Sequence, residues 1–173
     1  MIAHQYKRGF TLIELLVVIA IIGLLSAVVF TSLAAARQRA LNASYVAQLK
    51  EYQKALALYY AEHGTYPGNS TRWGCIGTGY TNGVCWDNAN FNESNATANA
   101  FRDALSPYMD ATKPTSPTNR IFGSMYRRPP GYEGYQMILM LEGDVSCPIG
   151  KKATHAASAA QNLTRCNLNS QGL

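Results

Sequence analysis

The chain has 173 residues, a net charge of +5 at pH 7 and a sequence pI near 9.1. Without Lys7 and Arg8, which precede a long apolar stretch, the net charge falls to +3, and this imbalance is too small to indicate a nucleic-acid-binding protein. The length leaves room for one modest domain beside that stretch, and the remaining sequence is polar and rich in Asn, Ser, Thr and Gly. A domain with such a thin core often needs covalent cross-links.

The apolar stretch runs from Phe10 to Leu33, and Glu14 is its one charged residue. As a helix with a rise of about 1.5 Å per residue it is about 36 Å long, enough to cross a hydrocarbon core about 30 Å thick. The sequence therefore predicts a single membrane-spanning helix. A carboxylate inside such a helix costs roughly 2.5–3.5 kcal/mol on insertion, so we expect Glu14 to have a function and a partner.

The segment Lys7–Leu15, which reads Lys-Arg-Gly-Phe-Thr-Leu-Ile-Glu-Leu, resembles the N-terminal signature of type IV pilins and of the related pseudopilins of type II secretion. The resemblance implies that a prepilin peptidase cuts between Gly9 and Phe10 and that Phe10 becomes the N-methylated first residue. It also implies that Glu14 pairs with the N-terminal amine of a neighbouring subunit, because a nearby cation makes a buried carboxylate tolerable. The close match extends over about residues 7–67.

Two features of the N-terminus bear on this interpretation. A secretory signal peptide cut near Ala34-Ala35-Ala36 is the main alternative, but it explains neither Glu14 nor the apolar stripe that continues beyond Arg37.

Many pilins also carry a proline near the position of Phe30, and this chain lacks it. Any local loss of helix in a filament would therefore rest on Gly23.

The helical pattern continues past the membrane segment. Apolar residues recur at helical spacing at Leu41, Tyr45, Leu49, Tyr52, Leu56 and Tyr59. Gly64 is a candidate C-cap and Pro67 prevents a restart, so we predict one helix from Phe10 to about His63. The stripe is too short and too rich in tyrosine for a homodimeric coiled coil, and we expect it to pack against a domain.

The four cysteines are expected to form disulfides. They lack the C-x-x-C spacing of a zinc site, and an even number in a membrane-targeted chain is typical of an oxidising compartment. Of the three possible pairings we favour the short loops, Cys75 with Cys85 and Cys147 with Cys166. Trp73 and Trp86 flank the first loop, where they either form a glycan-binding platform or pack over the disulfide.

Beyond the helix the pattern predicts an α+β fold. A short helix is expected within residues 96–109, with Ser106-Pro107 bending or restarting it. Residues 120–127 and 134–142 are strand candidates that would pair as an antiparallel hairpin, whereas residues 147–173 have little periodicity. A long helix laid on a small antiparallel sheet is also what the pilin resemblance implies.

We therefore expect four segments in the chain. They are a leader peptide at residues 1–9, a transmembrane or filament-core helix at 10–34, the amphipathic half of the same helix at 35–63 and a disulfide-stapled head at 64–173. No catalytic signature appears, so no enzymatic activity, metal or cofactor is expected.

The resemblance implies a structural subunit of a type IV pilus-like filament that polymerises through its N-terminal helix. The alternatives are a type II secretion pseudopilin and a membrane-anchored adhesin that does not polymerise. Expected partners are other copies of the chain and related pilins, the prepilin peptidase and the pilus assembly or secretion machinery, with no specific nucleic acid. The subunit would wait as a single-pass protein in the cytoplasmic (inner) membrane, its cysteine-bearing part facing outward, and end in a surface filament or in the periplasm.

Overall fold

The computed structural model describes residues 9–86, 91–119, 122–154 and 159–170. The elements in chain order are helix α1 (Leu12–His63), strand β1 (Gly74–Cys75), a short 3-10 helix (Thr81–Gly83), helix α2 (Ala96–Leu105) and strands β2 (Met125–Arg127), β3 (Gln136–Glu142), β4 (Lys151–Ala153) and β5 (Leu163–Asn169). The chain divides into two compact units, an N-terminal unit of Met1–Arg39 and a head unit of Ala40–Leu173, and α1 contributes residues to both.

Helix α1 ends where the sequence predicts and begins two residues later than predicted, at Leu12. Gly64 follows the last helical residue with a φ of 68°, a left-handed conformation that glycine adopts without a steric penalty. Its N–H donates a 2.8 Å hydrogen bond to the carbonyl oxygen of Tyr60. This bond satisfies a terminal carbonyl, and the left-handed backbone of Gly64 then ends the helix.

The sheet has five antiparallel strands in the order β1-β2-β3-β5-β4. The predicted hairpin is present as the pairing of β2 with β3, in which Met125 lies opposite Ile138 and Arg127 opposite Gln136. The α+β class and the small antiparallel sheet are thereby confirmed.

The expectation of little regular structure in the C-terminal tail is wrong, because β5 lies inside the sheet. It pairs with β3 over seven residues, from Gln136 opposite Asn169 to Glu142 opposite Leu163, and β4 adds to its other side. The inward side chains of β5 are Thr164, Cys166 and Leu168. Only two of these are apolar, so the alternation that marks a strand is weak in the sequence.

The predicted second helix is present but shorter, because α2 ends at Leu105, directly before Ser106-Pro107. Pro107 has no N–H to donate to the carbonyl oxygen of Asp103, which accepts a 2.9 Å hydrogen bond from the Ser106 hydroxyl instead, and this explains the early end. At the other end, the Asn95 side chain accepts a 2.8 Å hydrogen bond from the backbone N–H of Ala98 and caps the helix.

The head unit has a core on each face of its sheet. On one face the α1 residues Leu49, Tyr52 and Leu56, all fully buried, pack with sheet residues that include Met137 and Leu139. The predicted docking stripe of α1 is therefore confirmed. On the other face Met125, Ile138, Met140 and Leu163 pack beneath the loop that carries Cys75 and Cys85.

One polar contact also fastens the end of β3 to α1. Asn42 donates to the carbonyl oxygen of Glu142 and accepts from its backbone N–H, both at 2.9 Å. The amide thus pairs with backbone groups as a neighbouring strand would, and fixes the register between helix and sheet.

Candidate processing and assembly site

The junction between Gly9 and Phe10 lies just before α1 and is exposed. Phe10 is 79% exposed, and a Cβ atom placed on Gly9 would have no neighbour within 4 Å. Neither crowding nor a left-handed backbone therefore requires glycine at position 9. None of the described residues covers the junction, so an enzyme can reach it. Lys7 and Arg8, the basic part of the signature, lie outside the described residues.

Thr11 and Glu14 form a reciprocal cap at the start of α1. The Glu14 carboxylate oxygen Oε2 accepts from the Thr11 backbone N–H at 2.8 Å and from the Thr11 hydroxyl at 2.7 Å. The Glu14 N–H points back to the Thr11 hydroxyl oxygen at 3.3 Å. This is a capping box, which satisfies donors that a helix start leaves unpaired.

The capping box gives Glu14 a partner within its own chain, and sequence reasoning missed it. The signal was present, since a threonine followed three residues later by a glutamate precedes an apolar run. Both Thr11 bonds use Oε2, and none of the described residues forms a hydrogen bond with Oε1. The second oxygen is therefore available to a further cation.

Helix α1 carries a large exposed apolar surface in the N-terminal unit. Its large apolar side chains between Leu12 and Leu33 are between 45% and 77% exposed. By length and composition the helix is able to cross a membrane. A surface of this kind in water would aggregate, so it requires lipid or other apolar helices around it.

Gly23 lies within this apolar part of α1. A Cβ atom placed there would again have no neighbour within 4 Å, so packing within the chain does not require glycine. A glycine in a helix interior lowers helix stability by about 0.5–1 kcal/mol relative to alanine. Helix α1 is continuous through Gly23, and a local loss of helix there stays a prediction.

The head unit carries two disulfides, Cys75–Cys85 and Cys147–Cys166. This is the short-loop pairing that the sequence favours. Cys75 belongs to β1 and Cys166 to β5, so each bond fastens a loop to the sheet.

Trp73 and Trp86 pack rather than forming an open platform. Both contact the cluster that contains Cys75 and Cys85, and the Trp86 ring meets Phe122 edge to face at a centroid distance of 4.7 Å. The Arg127 guanidinium lies 4.3 Å from the Trp73 ring centroid. The packing alternative is confirmed.

Comparison with known proteins agrees with the N-terminal signature. Residues 4–30 match the family described as the prokaryotic N-terminal methylation motif. A fimbrial protein of Neisseria meningitidis serogroup B is 40% identical over 71 residues, which are 41% of this chain and 42% of that protein. The type IV wide pilus major component PilA4 of Thermus thermophilus is 37% identical over 94 residues, 54% of this chain and 69% of that protein. The chain belongs to the type IV pilin family.

This pilin also resembles a secretion protein. The type II secretion system core protein G of Klebsiella pneumoniae is 36% identical over 63 residues, 36% of the pilin and 45% of that protein. No solved structure matches the pilin significantly. The pilin thus spans less than half the length of the Neisseria and Klebsiella relatives.

Proposed function

We propose that this pilin is a structural subunit of a type IV pilus-like filament, without enzymatic activity, that polymerises through residues 10–34. The observation that carries the proposal is the apolar surface of α1, exposed from Leu12 to Leu33 directly after the processing signature. An apolar helix that leaves lipid must find equivalent burial, and the helices of other copies provide it. Such head-to-tail contacts do not close on themselves and so produce a fibre.

Maturation would prepare the N-terminus for this assembly. Cleavage after Gly9 leaves a cationic amine on Phe10, two residues before α1 begins. The N-terminal end of a helix already carries a partial positive charge, so this amine needs an anion nearby. Glu14 supplies one, with Oε2 holding the cap of its own helix and Oε1 open to the amine of a neighbouring subunit.

Mass spectrometry of the mature N-terminus tests the proposal. We expect the chain to begin at Phe10 and to carry one added methyl group. A chain that keeps Met1, or that begins near Arg37, would contradict both the processing and the filament role. Gly9→Ala should block cleavage, whereas the same change at Gly23 should leave cleavage intact.

Similarity to the Klebsiella protein supports a second candidate function, a pseudopilin of type II secretion. Processing would be the same, so the mature N-terminus does not separate the two. Electron microscopy of the native cells separates the pilus subunit from the pseudopilin. Long surface filaments that bind an antibody against the head support the pilus subunit, and their absence combined with a secretion defect on deletion supports the pseudopilin.

A further inference from the structure

The head unit has a basic groove on the face of its sheet opposite to α1, beside the core that contains Met125 and Ile138. The groove has a volume of about 350 Å³, and its lining includes the side chains of Trp73, Arg127, Gln136, Lys151, Arg165 and Asn167. Strand pairing places them together, because Arg127 lies opposite Gln136 and Lys151 lies opposite Asn167. Three cations from three different strands therefore line one groove.

These cations have no acidic counterpart within the described parts of the chain. The ion pairs found there join other lysines to carboxylates, at Lys54 with Glu51, Lys113 with Asp110, and Lys152 with Asp144. No described carboxylate lies within 4 Å of a nitrogen of Arg127, Lys151 or Arg165. The groove is thus positively charged.

Both arginines are fixed in position by their neighbours. The Arg127 Nε donates to the amide oxygen of Gln136 at 2.7 Å, and its guanidinium lies on the Trp73 ring. The Arg165 Nε donates to the amide oxygen of Asn167 at 2.8 Å. A guanidinium that is already ordered loses little entropy when it binds a ligand, which favours binding.

The guanidinium groups of Arg127 and Arg165 also repel each other. Burial lowers the pKa of Arg127 and of Arg165, and the charge of Arg127 lowers the pKa of Arg165 further. Two half-buried like charges that face one groove destabilise each other. An anion placed between them would relieve this repulsion and accept charge-assisted hydrogen bonds.

The other groups of the groove indicate what kind of anion fits. Single-stranded nucleic acid binds to open aromatic faces, but Arg127 covers Trp73, and Trp86 is packed against Phe91 and Phe122. The groove offers amide groups instead, since Gln136 and Asn167 use their oxygens for the arginines and keep their NH₂ groups as donors. In a sugar that carries a carboxylate, the carboxylate would bind to the two guanidinium groups, and the neighbouring hydroxyl groups would accept hydrogen bonds from the amides.

We propose that the basic groove binds an acidic saccharide, with the carboxylate of a uronic acid held by Arg127 and Arg165 and its hydroxyl groups by the amides. Lys151, at the exposed edge of the groove, adds a further positive charge next to Asn167. The site belongs to the head unit alone and does not depend on filament assembly.

Calorimetric titration of the full chain in detergent micelles tests this, with trigalacturonic acid as the probe. We expect saturable binding of the acid, and at least about tenfold weaker binding of its fully methyl-esterified form, which keeps the ring but loses the charge. Arg127→Gln and Arg165→Gln should each weaken binding of the acid by about tenfold or more.

A matched pair of lysines keeps the test decisive even where an arginine variant fails to fold. Lys151 and Lys152 are neighbours on β4, but Lys151 lines the groove and Lys152 bonds to Asp144. Lys151→Gln should weaken binding about threefold or more, and Lys152→Gln, with the same loss of net charge, by less than about twofold. Equal effects of the two changes, or tighter binding of a thymidine hexanucleotide than of trigalacturonic acid, would overturn the proposal.

Discussion

At the scale of single residues, buried tyrosines contribute both ring packing and hydroxyl hydrogen bonds to the core of the head unit. Tyr52 is fully buried, stacks on Phe101 at a centroid distance of 5.6 Å and donates toward the carbonyl oxygens of Ala111 at 2.8 Å and Lys113 at 2.7 Å. Burial raises the pKa of Tyr52, so its hydroxyl stays a neutral donor at any physiological pH. The contact joins α1 to the loop that follows α2.

We predict that Tyr52→Phe lowers the free energy of unfolding by about 1–2 kcal/mol. The ring packing is kept, but the buried carbonyl group of Ala111 loses its donor, and an unsatisfied buried group costs its desolvation energy. Urea titration followed by near-ultraviolet circular dichroism measures this change in the free energy of unfolding.

Tyr60→Phe is the matched control for the Tyr52 prediction. Tyr60 is 44% exposed, and its contact with the Tyr66 ring survives the change. Its effect should stay below about 0.5 kcal/mol. Similar losses for both variants would show that the Tyr52 hydroxyl contributes nothing specific.

Residues differ in how far the sequence predicts their role. Thr11 and Glu14 are three positions apart in one element, so their capping box follows from local pattern alone. The basic groove does not, because Arg127, Lys151 and Arg165 come together only through strand pairing. That pairing depends on β5, in which the alternation of apolar and polar side chains is too weak to predict a strand.

At the scale of elements, the sequence predicts the long helix α1 and the hairpin of β2 and β3, but not the strands β1, β4 and β5. Helix α1 combines an apolar run with a stripe at helical spacing, and β3 has seven residues of strand-forming type. β1 has two residues and β4 begins with two lysines, so tertiary contacts decide their conformation. The disulfides supply some of those contacts.

We predict that replacing Cys147 and Cys166 by alanine lowers the free energy of unfolding by about 3 kcal/mol. The bond closes a separation of 19 residues, and loop-closure entropy in the unfolded chain gives this size of effect. The edge strand β4 lies between the two cysteines in sequence, so its amides should exchange with deuterium faster in the variant.

The other disulfide provides the control. Replacing Cys75 and Cys85, which are separated by 10 residues, should cost a similar amount because the entropy depends only on the logarithm of loop length. It should leave exchange in β4 unchanged. Faster exchange in β4 on loss of either bond would mean that the head unfolds as one unit and that neither bond acts locally.

At the scale of the whole molecule, one helix contributes to two units with opposite surface requirements. Between Tyr45 and Tyr59 its apolar side is covered by the head unit, and from Leu12 to Leu33 its large apolar side chains are exposed. Among the described residues, no contact covers that second surface. Under the proposed function, lipid and then other subunits cover it, and substitution of Glu14 tests that assembly most directly.

The capping role of Glu14 and its proposed pairing role are separable by substitution. Glutamine at the same position keeps the capping box, since an amide oxygen also accepts from the Thr11 N–H, but it removes the negative charge. Alanine removes both the capping interaction and the negative charge. If pairing with the amine of a neighbouring subunit drives assembly, Glu14→Gln and Glu14→Ala should both reduce filament yield by about tenfold or more, because a charge-assisted pair in an apolar setting is worth roughly 1.5–3 kcal/mol.

Sheared-filament yield, together with the amount of pilin left in the membrane, measures this effect. Thr11→Val is the matched control, since it removes the hydroxyl that caps α1 but leaves the Glu14 charge, and it should retain most of the yield. Normal yield with Glu14→Gln would show that capping alone matters and that the charge is dispensable. A Thr11→Val yield as low as that of Glu14→Ala would lead to the same conclusion, because helix capping would then account for the whole loss.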